Sequence, residues 1–100
     1  MHVIIWELVV REGSAAAFEE AYGPSGAWAK LFAHSEEYLG TELLRDDDDP
    51  RRYVTIDRWT TASAFLKLRE EHAREYATLD ALCDGWTERE TRLAGGTVVS

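Results

Sequence analysis

The chain has 100 residues, of which 45% are hydrophobic and 11% aromatic, with 19 acidic residues against 11 basic ones for a formal net charge of -8. That size and apolar share fit one ordinary domain over residues 1–100 with a real core, and exclude wholesale disorder. The acid excess argues against nucleic acid and anionic membrane surfaces, both of which need clustered Lys and Arg.

Cys83 is the only cysteine, so no intrachain disulfide and no CxxC chemistry is expected. No apolar run approaches the roughly 20 residues of a bilayer span, and no charged-then-apolar leader precedes the first strand. Cytoplasm is the expected compartment.

A strand is expected from His2 to Arg11, and its stretch from Val3 to Val10 is apolar on both sides. Alternate residues of a strand point to opposite faces. One face then carries Val3, Ile5, Glu7 and Val9, and the other Ile4, Trp6, Leu8 and Val10. A strand with two oily faces must be covered twice. The remaining chain offers two convincing helical segments, enough for one face. The second face is therefore expected to meet another copy of the chain.

Gly13-Ser14 ends the strand, and Ser14 is a suitable N-cap for the segment from Ala15 to Tyr22. Gly23-Pro24 interrupts that helix, and Ser25 restarts it through Trp28, Leu31 and Phe32. A two-part helix from Ala15 to Ala33 is the result. Strands from Tyr38 to Arg45 and from Arg52 to Trp59 follow, joined as a hairpin by Asp46-Asp47-Asp48-Asp49-Pro50. In the second of these, Tyr53, Thr55, Asp57 and Trp59 share one face, with Val54, Ile56 and Arg58 on the other. The aspartate run lacks the central glycine and distal glutamate of an EF-hand, so it reads as a solvated tip screened by Arg45, Arg51 and Arg52.

Thr60-Thr61 is placed to cap the longest helix, from Ala62 to Cys83. Its apolar stripe runs through Phe65, Leu68, His72, Tyr76, Leu79 and Cys83 in steps of three or four. Gly85 ends it as a C-terminal cap. A last strand of weak periodicity is expected within Thr87 to Leu93, and Gly95-Gly96 then loosens the chain. The order strand, helix, strand, strand, helix, strand predicts an α+β, ferredoxin-like βαββαβ fold, with helices on one face of an antiparallel sheet. Two such sheets stacked on their bare faces form a dimeric α/β barrel.

Several segments resemble the dimeric α/β-barrel superfamily and, within it, the antibiotic biosynthesis monooxygenase family. They are Gly40-Thr41-Glu42-Leu43-Leu44-Arg45, the strand Arg52 to Trp59, Ser63-Ala64-Phe65, and Tyr76, Leu79 and Cys83. The resemblance implies a homodimer with a pocket between helices and sheet in each subunit. It also implies oxidation of aromatic polyketides by molecular oxygen without metal or flavin. Other members cleave haem, or isomerise or decarboxylate small ring compounds. The quinone-forming type is expected to carry Asn four residues before the strand-ending Trp and Tyr six after it. Here Trp59 is kept, but those positions hold Thr55 and Phe65. The haem-degrading type is expected to carry Asn near the end of the first strand, then a Trp and a His on the last helix. Here the first strand offers Trp6-Glu7, the Trp position is near Leu68, and His72 lies before the expected His.

Read for chemistry, His72 lies inside the helical stripe between Leu68 and Tyr76, where a half-buried imidazole can act as a base near neutral pH; a core histidine satisfied by one hydrogen bond has the same sequence signature. Trp59, Tyr22, Trp28, Phe32, Phe65 and Tyr76 are candidates to line a flat aromatic cavity, or simply to pack a core. His2 and His34 with a single cysteine do not make a metal set. Glu7 and Asp57 are charges inside apolar strands. For Glu7 an ion pair with Arg58 of the neighbouring strand, within or across a dimer, is preferred, and a catalytic carboxylate stays open. The expected function is a small cofactor-independent oxygenase acting on an aromatic ring, with His72 as base or hydrogen-bond partner and Trp59 positioning the substrate. The alternative is a non-catalytic, small-ligand-binding or stress-related dimer.

Overall fold

The computed structural model describes residues 1–100. Its elements in chain order are β1 (His2–Val10), α1 (Ala15–Tyr22), α2 (Ala27–Phe32), β2 (Tyr38–Arg45), β3 (Arg52–Trp59), α3 (Ala64–Glu71), α4 (Ala73–Asp84) and β4 (Thr87–Thr97). The strands form one antiparallel sheet in the order β2-β3-β1-β4. This is the ferredoxin-like α+β fold with both helical pairs on one face. No helix is long and apolar enough to cross a membrane.

Alternation along β1 divides the molecule. Ile4, Leu8 and Val10 are buried beneath the helices, while Val3, Ile5, Glu7 and Val9 point to the other side and are only partly covered. The register brings Leu8 opposite Tyr53, Trp6 opposite Thr55 and Ile4 opposite Asp57, so the helix-facing side of β3 continues that of β1. Phe18, Trp28, Leu31, Phe32, Leu68 and Cys83 close the core from above. Tyr53, 1% exposed, donates its hydroxyl to Glu19 and so ties α1 to the sheet.

Several local expectations are corrected. The helix expected over Ala62 to Cys83 breaks at His72, where φ -121° and ψ 40° leave the helical region between α3 and α4. Ser14 makes no side-chain cap, and the hydroxyls of Thr60 and Thr61 go to Glu37 (3.0 and 3.2 Å) instead of capping α3. Gly85 stands at the C-terminal cap of α4 as expected, with φ -68° in the right-handed region. The last strand runs past Leu93 to Thr97, because β1 offers backbone partners as far as His2.

Glu7 pairs with Arg52 (2.7 Å) and lies 3.8 Å from Arg89, whereas Arg58 pairs with Glu42. The ion pair expected for Glu7 therefore exists, with a different arginine. Alternation explains the exchange. Arg52 is beside the cross-strand partner of Glu7, Val54, on the same face, and Arg58 is too far along the strand.

β2 carries one irregularity with consequences for the site. Its register shifts between Tyr38 and Gly40, leaving Leu39 as an extra residue, and Gly40 sits at φ 130°, a conformation that L side chains rarely adopt. Tyr38 and Thr41 would otherwise point to opposite sides of the sheet. The bulge puts both on the helix-facing side.

Candidate functional site

Between the helices and the sheet lies a cavity of about 470 Å³. Each helix contributes aromatic wall: Tyr22 from α1, Trp28 and Phe32 from α2, Phe65 from α3 and Tyr76 from α4. Their rings touch in sequence, Tyr22 to Trp28 at 6.0 Å between centroids, Trp28 to Tyr76 edge-on at 5.0 Å, and Tyr76 to Phe65 at 6.1 Å. Tilted and edge-to-face rings present both faces and edges, an arrangement suited to a planar guest. The sheet supplies the floor through His2, Ile4, Trp6 and Leu8, joined by Thr41, Thr55 and Asp57.

The two residues expected to carry the chemistry are not on this wall. His72 sits at the break between α3 and α4. Its ring packs on His34 at 4.6 Å, and its Nδ1 lies 3.4 Å from Glu75. The helical period that predicted an inward histidine ends at that residue, and the ring lies beside His34, outside the cavity lining. Trp59 is fully buried behind the wall, against Tyr38 (5.2 Å), Phe32 (5.3 Å) and Phe65 (5.8 Å). It supports the rings that line the cavity and does not reach the space itself. Of the six aromatic residues expected to line a pocket, Tyr22, Trp28, Phe32, Phe65 and Tyr76 border the cavity and Trp59 does not.

Asp57 takes the central polar position. It projects from β3 onto the cavity floor, opposite Ile4 of β1 and Thr41 of β2. Thr41 donates its hydroxyl to Asp57 Oδ1 at 2.6 Å, and Tyr38 Oη lies 2.5 Å from the same Thr41 oxygen. A chain of three oxygens thus runs along the sheet, made possible by the bulge at Leu39 and Gly40. No cation stands within 4.0 Å of Asp57: every ion pair in the molecule belongs to other residues. Burial pushes its carboxyl up to about 6, against the smaller, opposing effect of the Thr41 hydrogen bond. A carboxylate so placed is half-ionised just below neutrality and accepts protons readily from an acidic C–H or O–H group.

The other titratable groups on the wall are donors. Burial raises the phenols of Tyr22 and Tyr76, which therefore stay protonated near neutral pH. His2 presents a buried Nδ1 without a partner in the protein, and the indole of Trp28 also lacks one. A guest with oxygen substituents would satisfy such groups. Thr55 and Phe65, at the positions where Asn and Tyr were expected, both line the cavity, and the hydrogen-bonded pair Thr41–Asp57 lies on the same floor.

The asparagine-and-tyrosine pattern drew attention away from Asp57, yet the sequence held a signal for it. It shares a strand face with Tyr53, Thr55 and Trp59, none of which can neutralise it. Thr41, His2, Arg69 and Arg92 were missed as cavity residues because nothing in their local pattern distinguishes a rim from a surface.

The sequence matches the model of the antibiotic biosynthesis monooxygenase family over residues 1–79. Among curated proteins none matches it significantly. Solved structures share its fold. A variant of SnoaB from Streptomyces nogalater, described as a cofactor-independent oxygenase, superposes with a TM-score of 0.80 at 21% identity, covering 99% of this chain and 93% of that one. A Bordetella bronchiseptica protein bearing the family's name gives 0.78 at 22% identity, with 99% and 97% covered. Another from Nitrosomonas europaea gives 0.74 at 19%, with both chains fully covered.

Proposed function

Since the chain belongs to the antibiotic biosynthesis monooxygenase family, we propose that it is a cofactor-independent oxygenase of an aromatic, quinol- or anthrone-like substrate, with Asp57 as its base. The single observation that carries this reading is a carboxylate without a cation partner, on the floor of an aromatic cavity and held up to about 6. A ring compound fits between Trp28, Phe65 and Tyr76, with its acidic C–H or O–H group toward Asp57.

The chemistry then follows from the substrate's own electrons. Asp57 takes the proton, and the resulting carbanion or phenolate gives one electron to molecular oxygen. Superoxide and the substrate radical combine into a C–O bond, and the peroxide oxygen takes a proton back from Asp57. Loss of water from that hydroperoxide leaves a carbonyl: a CH₂ group becomes C=O, one oxygen atom enters the product, and the other leaves as water. Thr41 holds the carboxylate in position, and Tyr22 and Tyr76 are available to donate to substrate oxygens. Trp59 acts at one remove, by fixing Phe32 and Phe65.

The test is oxygen consumption with a panel of anthrones and hydroquinones. Uptake above the buffer rate, abolished in Asp57→Asn, supports the reading. The second reading is ligand binding without turnover, favoured by Thr55 and Phe65 standing where the amide and phenol are expected. It predicts uptake at the buffer rate while the same compounds still raise the melting temperature.

The bare side of the sheet belongs to the same proposal. Val3, Ile5, Val9, Val54 and Ile56 form a half-covered apolar surface continued by Leu44, which is 49% exposed. A second copy laid on this face would bury it, giving the homodimer implied by the family.

A further inference from the structure

The mouth of the cavity lies between α3, α4 and β4, where Leu66, Arg69, Asp80, Glu90 and Arg92 are exposed while the aromatic wall behind them is largely buried. It carries charges of both signs. Asp80 lies close enough to Glu90 to push that carboxyl up, in addition to the larger effect of burial. Arg69 and Arg92 make no ion pair with either carboxylate, or with any other. Five of the nine arginines in the chain do form such pairs: Arg45, Arg51, Arg52, Arg58 and Arg89. In a chain with 19 acidic residues against 11 basic, two free guanidinium groups on one cavity are not explained by a shortage of partners.

Each is also seated. The Arg69 guanidinium carbon stands 4.8 Å from the centre of the Tyr76 ring, itself part of the wall, so a cation–π contact holds it at the rim. Arg92, opposite Trp6 in the register, folds along β4 over Gly95. A Cβ at position 95 would overlap the guanidinium, so the absence of a side chain there makes the seat. Guanidinium groups recognise planar oxyanions through paired N–H donors.

We propose that Arg69 and Arg92 form an anion subsite at the mouth, and that the substrate is an aromatic acid whose carboxylate lies there while its ring enters the cavity. The acidic pair Asp80 and Glu90 on the same rim repels that carboxylate and so narrows the orientations open to the ring. This inference rests on the cavity being the substrate site, as proposed above, but it does not depend on oxygen chemistry.

Binding of anthraquinone-2-carboxylate and of its neutral carboxamide, followed by calorimetry, tests it. The wild-type protein is expected to prefer the carboxylate by at least about tenfold, the worth of one charge-assisted hydrogen bond, with the preference shrinking as salt is added. Arg69→Gln combined with Arg92→Gln should bring the ratio close to one. Gly95→Ala should reduce it in part, since the new Cβ meets only the flexible end of Arg92 and leaves the fold intact. Equal affinity for the two probes in the wild type, no measurable binding of the carboxylate, or an undiminished ratio in the double variant would overturn the subsite. Failed oxygen uptake with an intact ratio would remove the oxygenase reading and leave the subsite standing.

Discussion

The two sides of the sheet each hold one carboxylate inside an apolar strand, and they are treated differently. On the bare side Glu7 meets Arg52 at 2.7 Å, with Arg89 at 3.8 Å. On the helix-covered side Asp57 has only the Thr41 hydroxyl, at 2.6 Å. A partly buried charge held by cations is compatible with packing and assembly. A buried carboxylate without one resists ionisation and weakens the fold, which makes it a candidate for chemistry. The contrast separates a structural acid from a reactive one more sharply than residue type or strand position does.

The largest test of that contrast is Asp57→Asn. As a general base its loss is expected to lower kcat/KM for oxygen uptake by about 10² to 10⁴-fold, while stability at pH 8 rises. The folded carboxyl at about 6 lies above its ordinary 3.8, so the folded state binds this proton more tightly than the unfolded one. The stability it contributes is fully present below about pH 4 and is lost as pH rises through about 6, a change of up to about 3 kcal/mol. Thermal melts of wild type and variant should therefore converge in acid and separate above pH 6, the variant melting higher. Identical melting profiles would show that Asp57 is not held as described.

Thr41→Val is expected next in size. Removing the hydroxyl takes away the one contact that lowers the Asp57 carboxyl, so the acid limb of the rate profile should move above 6, with activity at pH 6.5 down about tenfold. On the other side, Glu7→Gln should raise the dimer dissociation constant by about tenfold, read by sedimentation. An unaltered constant, or a wild-type chain that sediments as a monomer, would remove the paired-face assignment. The smallest effect belongs to His72→Ala. With its ring against His34 and away from the cavity, turnover should stay within about twofold of wild type, and a larger loss would return the base to that histidine.

Much of the architecture was legible because periodicity and turn chemistry reported it. The apolar faces of β1 and the bounds of β2 and β3 follow from alternation and from the polar hairpin between them. The break at His72 was not legible, since the steps from Leu68 to His72 to Tyr76 keep their helical spacing across it. β4 is an exposed edge strand, with only Thr87 buried, so it carries little alternation to read. For the site, the aromatic residue types predicted a wall, but which ring lies in front and which behind is settled by packing. That is why Trp59 and Phe65, six residues apart, end up in different roles.

A pleated ribbon counts its side chains by twos, and the extra residue at Leu39 changes that parity for everything before it. Deleting Leu39 would remove the bulge yet keep the Tyr38 phenol on the helix-facing side, two positions from Thr41, whereas pairing all four residues from Tyr38 to Thr41 in regular register would send it to the bare side. The third oxygen of the chain thus depends on the sheet letting one residue slip out of register, and the reactivity of this floor can be retuned by straightening that ribbon without altering a single atom of the acid itself.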